Sequence, residues 1–88
     1  MTIDLDQVLR ALSHPDRRLF LRACRDGPRA AGELAELSNL AVATVSEHLK
    51  VLRTSGLLDL DKQGRNWFYR TNPDVLKAAR RGLKQILD

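Results

Sequence analysis

Apolar positions recur first at the spacing of an α-helix. Residues 4–12 form the first such segment, with apolar side chains at Leu5, Val8, Leu9 and Leu12. A second helix is expected from Pro15 to the Asp26–Pro28 break, because proline suits the first position of a helix. Its inward side chains are expected at Phe20, Leu21, Ala23 and Cys24.

Two further helices follow, joined by the short Ser38–Ala41 connection. The third covers about residues 30–37, and the fourth starts near Val42. The third is expected to bury Leu34 and Leu37, and the fourth Val45, Leu49 and Leu52, with Val51 at its margin. Two helices joined by so short a turn are typical of a helix-turn-helix, predicted here over about residues 30–55.

After Gly56 the pattern changes from helical spacing to alternation. Residues 58–61 and 67–71 each alternate apolar and polar side chains, which predicts a two-stranded hairpin over about residues 57–71. Its tip is expected at residues 62–66, where Gly64 permits a tight reversal. Trp67 and Tyr69 are expected to pack within the hairpin.

A last helix is predicted over about residues 73–87, after the Asn72–Asp74 start signal. The predicted fold class is therefore mainly α with a small β-hairpin, in the order of four helices, two strands and one helix. That order is a winged helix-turn-helix. A chain of 88 residues is too short for two separate cores, so one domain over residues 1–88 is expected.

Composition adds a charge argument. Fifteen Lys and Arg against eleven Asp and Glu give a formal charge of +4, which favours a polyanionic partner. No apolar run is long enough to span a membrane and the amino terminus is acidic, so a cytoplasmic protein without a membrane partner is expected. One cysteine, Cys24, excludes an intrachain disulfide and a zinc ribbon of paired cysteines.

Several ordered motifs resemble one known family, the ArsR/SmtB-type bacterial and archaeal repressors. The resemblance runs from about Leu9 to Leu76. The motifs that carry it are Ala11–Arg18, Gly32–Ala35, Thr44–Arg53, Ser55–Leu57, and Gly64–Arg65 followed by Tyr69–Arg70. Their succession in the right order is far more specific than any one of them.

This resemblance implies a homodimer that binds a roughly palindromic, inverted-repeat operator in double-stranded DNA and usually represses. Two-fold symmetry places the recognition helices in major grooves about 34 Å apart, and cations at the hairpin tip reach phosphates or the minor groove. The resemblance also implies a dimer built from the first helix, about residues 3–12, and the last, about residues 73–87. In many members an effector, often a metal ion, loosens DNA binding.

The expected DNA-contacting residues lie on the recognition helix and the hairpin tip. The amino-terminal half of the helix is expected to face the bases and Lys50 a phosphate. The full set is Val42, Ala43, Thr44, Ser46, Glu47, Lys50, Arg53, Lys62, Gln63, Arg65 and Asn66. The expected dimer contacts are Ile3, Leu5, Val8, Leu12, Val75, Ala79, Leu83, Ile86 and Leu87. Second-rank cation candidates are Arg17, Arg18, Arg22 and Arg25.

The sequence departs from the metal-sensing members of that family. They carry a Cys-x-Cys set in the third helix or Asp/His/Glu clusters in the last, whereas Gly32–Glu36 has no cysteine and Asp74–Asp88 no histidine. Neither a metal site nor a cofactor is predicted. Ala30 and Ala41 also stand where relatives often place a Ser or Thr helix cap. The uncapped amides at residues 41–43 could meet a DNA phosphate instead.

Other readings stay open beside the main hypothesis of a DNA-binding repressor. A winged-helix module that binds proteins is one alternative, and a thiol- or metal-responsive repressor using Cys24 is another. An unidentified effector that binds the repressor is also an open alternative. His14 is expected to cap or pack, and His48 to pack or make a local hydrogen bond. An enzyme is not expected, because no spacing suggests a nucleophile and base pair.

Overall fold

The fold combines five helices with one two-stranded antiparallel hairpin. The structure is a computed structural model that describes residues 2–88. The elements in chain order are α1 (Leu5–Leu12), α2 (Pro15–Asp26), α3 (Ala31–Ser38), α4 (Val42–Thr54), β1 (Leu58–Gln63), β2 (Asn66–Thr71) and α5 (Pro73–Leu87). This order confirms the predicted fold class. No helix within residues 2–88 has the length and apolar character to cross a membrane.

Side-chain caps fix the starts of three helices. Asp4 caps α1, His14 accepts a hydrogen bond from the Asp16 amide at the start of α2, and Asn72 accepts from two amides of α5. Ala30 and Ala41 occupy the cap positions of α3 and α4 and have no acceptor atom. Glu33 partly compensates in α3, because its Oε1 accepts from the Ala30 amide at 3.0 Å. The α4 amides have no such side-chain partner.

The chain reverses direction before and after α4, at the carboxyl ends of α3 and α4. Asn39 ends α3 with a left-handed φ of 59°, a conformation that asparagine tolerates better than most residues. Gly56 ends α4 with φ of 85°, where the Leu57 amide donates to the Leu52 carbonyl at 3.1 Å. A Cβ at Gly56 would meet a methyl of Val75 at 3.4 Å, an ordinary contact, so the left-handed φ is what favours glycine here.

The two strands of the hairpin are longer, and its turn is tighter, than the alternation predicts. Leu60 pairs with Tyr69, Lys62 with Trp67 and Gln63 with Asn66, so the turn itself is only Gly64 and Arg65. A positive φ of 63° at the first turn position is typical of a type II′ reversal, which matches the twist of paired strands. Three of the five predicted tip residues therefore belong to the strands.

Backbone hydrogen bonds fasten the hairpin to the helices. Arg29, in the connection between α2 and α3, exchanges two bonds with Tyr69 of β2, at 2.9 and 2.8 Å. The Asn72 amide donates to the Leu57 carbonyl at 3.0 Å. The Arg29–Tyr69 bonds therefore tie β2 to the α2–α3 connection through backbone, whereas the Asn72–Leu57 bond closes the base of the hairpin.

One hydrophobic core joins all five helices and the hairpin. Its largest fully buried side chains are Phe20, Leu34, Leu49, Leu52, Leu57, Leu58, Val8 and Val45. One expectation is wrong: Leu37 is 55% exposed, because it lies in the last turn of α3 while Ala35 takes the buried position beside Leu34. Trp67 is 49% exposed and contacts Lys62 on the paired strand of the hairpin.

Candidate nucleic-acid interface

Helix α4 separates an apolar face from a polar one. Val45, Leu49 and Leu52 recur at helical spacing and are completely buried against the core. The residues between them on the other face are all exposed: Val42, Ala43, Thr44, Ser46, Glu47, Lys50 and Arg53. The buried stripe therefore fixes the rotation of the helix, and that rotation presents all seven predicted contact residues of α4 to solvent.

The predicted cationic contacts are unpaired in the part of the chain that the structure describes. Lys50, Arg53, Lys62 and Arg65 take part in no ion pair and no side-chain hydrogen bond there. Three other cations are paired with carboxylates, at Arg29–Glu33, Arg70–Asp61 and Lys84–Asp88. A cation without an internal partner is free to bind an external anion. Within residues 2–88 these four share that property with other exposed cations, such as Arg22 and Arg25, so their place on α4 and the hairpin is what distinguishes them.

A groove joins α4 to the hairpin. Lys50, Arg53 and Thr54 form one wall of it, and Leu58–Leu60 of β1 form the other. The carboxyl-terminal part of α4 and the base of the hairpin thus border the same open surface, where Lys50 and Arg53 share the lining with Asp59.

The hairpin holds one of its cations in place. The Lys62 Nζ lies 4.4 Å from the centre of the Trp67 ring on the paired strand, which is a cation–π distance. Arg65 occupies the second turn position and is exposed, as are the neighbouring Gln63 and Asn66. The exposed Trp67, for which the sequence suggested only packing, therefore orients a lysine at the tip.

The second-rank arginines divide into two groups. Arg17 donates from Nε to the Ala11 carbonyl at 2.7 Å, and Arg18 donates to the Leu12 carbonyl at 2.7 Å. These bonds satisfy the last carbonyls of α1, a structural role that the sequence did not reveal. Arg22 and Arg25 instead border a groove against α5 that contains no α4 residue.

The residues expected at a dimer contact also divide. Val8 is completely buried within the single chain, and Val75 and Ala79 are each 7% exposed, so they belong to its own core and have almost no surface left for a partner. This corrects their assignment. The others keep surface: Ile3, Leu5, Leu12 and Leu83 are half-buried, and Ile86 and Leu87 are 65% and 77% exposed. An apolar strip therefore remains along α1 and α5.

Cys24 lies inside the core at 2% exposure. Burial raises the pKa of its thiol to about 11, because the charged thiolate would lose its hydration there. The nearby Arg29 lowers that pKa and Glu33 raises it, and neither effect outweighs burial. A thiol of this kind is poorly suited to sensing, since the reactive species is the thiolate.

Cys24 should therefore react slowly with an aromatic disulfide reagent at pH 8. We expect a rate about 100-fold or more below that of the urea-unfolded chain, since a pKa two units higher leaves about 100-fold less thiolate and the sulfur is also inaccessible. The release of chromophore over time measures it, with Cys24→Ser as the blank. Equal rates for native and unfolded protein would instead favour a thiol sensor.

His14, Asp16 and His48 lie close together in the structure, although the sequence suggests separate roles for the two histidines and does not single out Asp16. The His14 and His48 rings lie 4.4 Å apart between centres, and Asp16 Oδ2 is 3.9 Å from His14 Nδ1. Burial lowers the pKa of His48, and His14 and Arg17 act in the same direction while Asp16 opposes them. No short-range spacing signals this group, because His48 is on α4 and the other two residues begin α2.

Comparison with known proteins agrees with this architecture. The model of a family described as a helix-turn-helix domain matches residues 12–61. The chain is 30% identical to the transcriptional repressor SdpR of Bacillus subtilis over 75 residues, which are 85% of this chain and 83% of SdpR.

Solved structures give the same result at the level of fold. An ArsR-like transcriptional regulator from Rhodococcus superposes with a TM-score of 0.86 at 29% identity, covering 93% of this chain and 75% of that one. The homodimeric winged helix-turn-helix DNA-binding domain of a possible ArsR-family regulator from Mycobacterium bovis superposes with a TM-score of 0.75 at 29% identity, covering 94% and 79%. The chain belongs to the ArsR/SmtB family of winged helix-turn-helix transcription regulators.

Proposed function

We propose that this regulator acts as a homodimeric repressor that binds an inverted-repeat operator through α4 and the hairpin. The observation that carries the proposal is the exposed face of α4, whose unpaired Lys50 and Arg53 share one groove with the hairpin. An α-helix fits the major groove of B-DNA, and free cations beside it can neutralise the flanking phosphates. The similar protein SdpR is a transcriptional repressor, and this similarity supports repression of transcription as the activity of the present chain.

Base recognition falls to the first two turns of α4. Val42 and Ala43 can contact only thymine methyl groups, while Glu47 can accept a hydrogen bond from the amino group of cytosine. Thr44 and Ser46 can each donate or accept. Because α4 starts without a side-chain cap, its free amides can also donate to a phosphate, as uncapped helix starts commonly do.

The hairpin supplies contacts that do not depend on sequence. Lys62, Arg65, Gln63 and Asn66 are exposed around the turn and suit phosphate oxygens or the edge of the minor groove. The backbone bonds between Arg29 and Tyr69 hold the hairpin relative to the helices, so its cations reach the duplex without first paying the entropy of ordering a loose loop.

A second copy of the chain accounts for the apolar strip on α1 and α5. Among residues 2–88, Ile86 and Leu87 are the most exposed large apolar side chains, and Leu83, Leu12, Leu5 and Ile3 continue the strip. Exposed apolar patches of this kind mark association surfaces. The homodimeric state of the related Mycobacterium bovis domain supports the same arrangement here.

Selection of bound sequences from a random duplex library tests the proposal. We expect an inverted repeat whose half-sites lie about 10 base pairs apart, as two symmetric recognition helices require. Glu47→Ala should change the selected half-site, and Lys50→Ala should leave it unchanged while weakening binding to every duplex.

Three outcomes would count against this assignment. A selected single half-site would contradict the dimer, and an unchanged sequence from Glu47→Ala would remove α4 from base reading. Failure to retain any duplex at low ionic strength, with the fold intact, would leave a protein-binding module as the function of the same surface.

A further inference from the structure

We propose that His14, Asp16 and His48 form a binding site for a divalent first-row transition-metal ion such as Zn²⁺ or Co²⁺, which links the start of α2 to the middle of α4. One ligand atom from each of the three lies within 4.8 Å of the others. This is the one such group in the described part of the chain. It lies in neither of the places, the third and last helices, where the family resemblance puts metal ligands.

The three side chains match the chemistry of such an ion. Imidazole nitrogen and carboxylate oxygen are standard ligands for zinc, and two histidines with one carboxylate leave a fourth position for water or another ligand. The set contains no thiolate, so it does not depend on the buried Cys24.

Small side-chain movements would complete the site. Metal–ligand distances of about 2.0–2.1 Å in a tetrahedral site place the ligand atoms about 3.3 Å apart, so the present group must draw in by about 1.5 Å at most. The His14 and Asp16 side chains are 41% and 33% exposed, which leaves them room to rotate. His48 is half-buried and approaches Phe20, so the core holds it while the other two move.

Ion binding would compete with a helix cap. His14 Nδ1 accepts a hydrogen bond from the Asp16 amide at 3.2 Å, and in the neutral ring that acceptor atom is also the one with a free lone pair. The ion must therefore take this lone pair or reverse the ring tautomer, and both release the Asp16 amide. That amide is a specific reporter of occupancy.

Titration of the tag-free, full-length protein with Co²⁺ in the absence of DNA tests the site. We expect one ion per chain, visible ligand-field absorption of low-coordinate Co²⁺, loss of that absorption on adding Zn²⁺, and a shift of the Asp16 amide resonance. His48→Gln should weaken binding by about 100-fold or more, since losing even an outer-shell partner costs about 10- to 100-fold. His14→Asn should weaken it similarly while retaining a cap acceptor.

The variants also define what would overturn the site. Cys24→Ser should bind Co²⁺ as the wild type does. Absence of saturable binding to folded wild-type protein would refute the proposal, and so would unchanged affinity in both His48→Gln and His14→Asn, because the ion would then lie elsewhere.

An ion at this position would act on the recognition helix, a consequence that rests on the proposed function. His48 follows Glu47 directly and precedes Lys50 by two residues, so an ion shared with His14 and Asp16 would tie this part of α4 to the start of α2 and restrict its adjustment on a duplex. Saturating Zn²⁺ should therefore change the affinity of the wild type for its selected duplex and leave that of His48→Gln unchanged. Equal wild-type affinities with and without Zn²⁺ would overturn this coupling, whereas the DNA-free titration tests the site separately.

Discussion

Replacing both Lys62 and Arg65 by glutamate should weaken binding to the selected duplex by about 100-fold or more. Both cations are exposed on the hairpin and neither pairs with a carboxylate within residues 2–88, so each can contact a phosphate. A hydrogen bond to a charged group contributes about 1.5–3 kcal/mol, which is at least about tenfold in affinity for each lost contact. Fluorescence anisotropy of a labelled duplex at fixed salt measures the loss.

The control for that experiment changes the charge by the same amount elsewhere. Arg22→Glu with Arg25→Glu alters two exposed arginines that border the groove against α5, away from α4. Because Leu12 and Leu83 of the proposed dimer strip line the same groove, sedimentation must first show that this variant and the wild type have the same oligomeric state. If binding depends on where the cations lie, this pair should bind far more tightly than the hairpin pair. An equal loss of duplex affinity in the two double variants would mean that the hairpin cations contribute only through the overall positive charge of the protein.

Replacing Leu49 by alanine should lower the free energy of unfolding by about 2–5 kcal/mol. Leu49 is completely buried between Val45 and Leu52 on the apolar face of α4. Its truncation therefore removes apolar contacts and leaves a cavity between α4 and the core. Because small domains are stable by only about 5–15 kcal/mol, the loss is a large share of the total. Equilibrium unfolding in urea, followed by circular dichroism, gives the value.

Leu37→Ala is the matched control for the core substitution. The same atoms are deleted from a leucine that is 55% exposed at the end of α3. The expected change is within about 0.5 kcal/mol, as for most surface substitutions. A cost of several kcal/mol at Leu37, or almost none at Leu49, would contradict the placement of α3 and α4 on the core.

Local patterns predict the elements of this fold well because each element carries its own boundary signal. Pro15 and Pro73 open helices, Gly56 closes one, and alternation marks the hairpin. Even so, periodicity alone placed Leu37 inside, whereas the length of α3 leaves it in an exposed final turn. A stripe identifies which residues share a face, but the end of the element decides how much of that face reaches the core.

Contacts between distant segments carry no comparable signal. The backbone pairing of Arg29 with Tyr69 joins residues far apart in sequence, and backbone groups are the same in every residue. Val8 lies on the same apolar stripe as Leu5 and Leu12, yet only the packed structure shows that it is completely buried in the core of its own chain. Interior and interface look alike in a sequence, since both require apolar side chains.

The proximity of His14, Asp16 and His48 is another contact between distant segments that the sequence does not predict. His14 and His48 each have an ordinary local explanation, a cap and a packed ring, and nothing in their spacing relates one to the other. Their meeting depends on how α4 crosses the start of α2. The exposed face of α4 was easier to predict, because exposure on one face follows directly from burial on the other.

The salt dependence of duplex binding tests the central claim most directly. If α4 and the hairpin of both copies engage the phosphate backbone through about 6–10 contacts, affinity for the selected duplex should fall by about 10³–10⁵ between about 50 and 200 mM salt. The measurement is a series of anisotropy titrations at increasing salt. An affinity that stays constant across this range would contradict the account, because DNA binding by these free cations must release counterions.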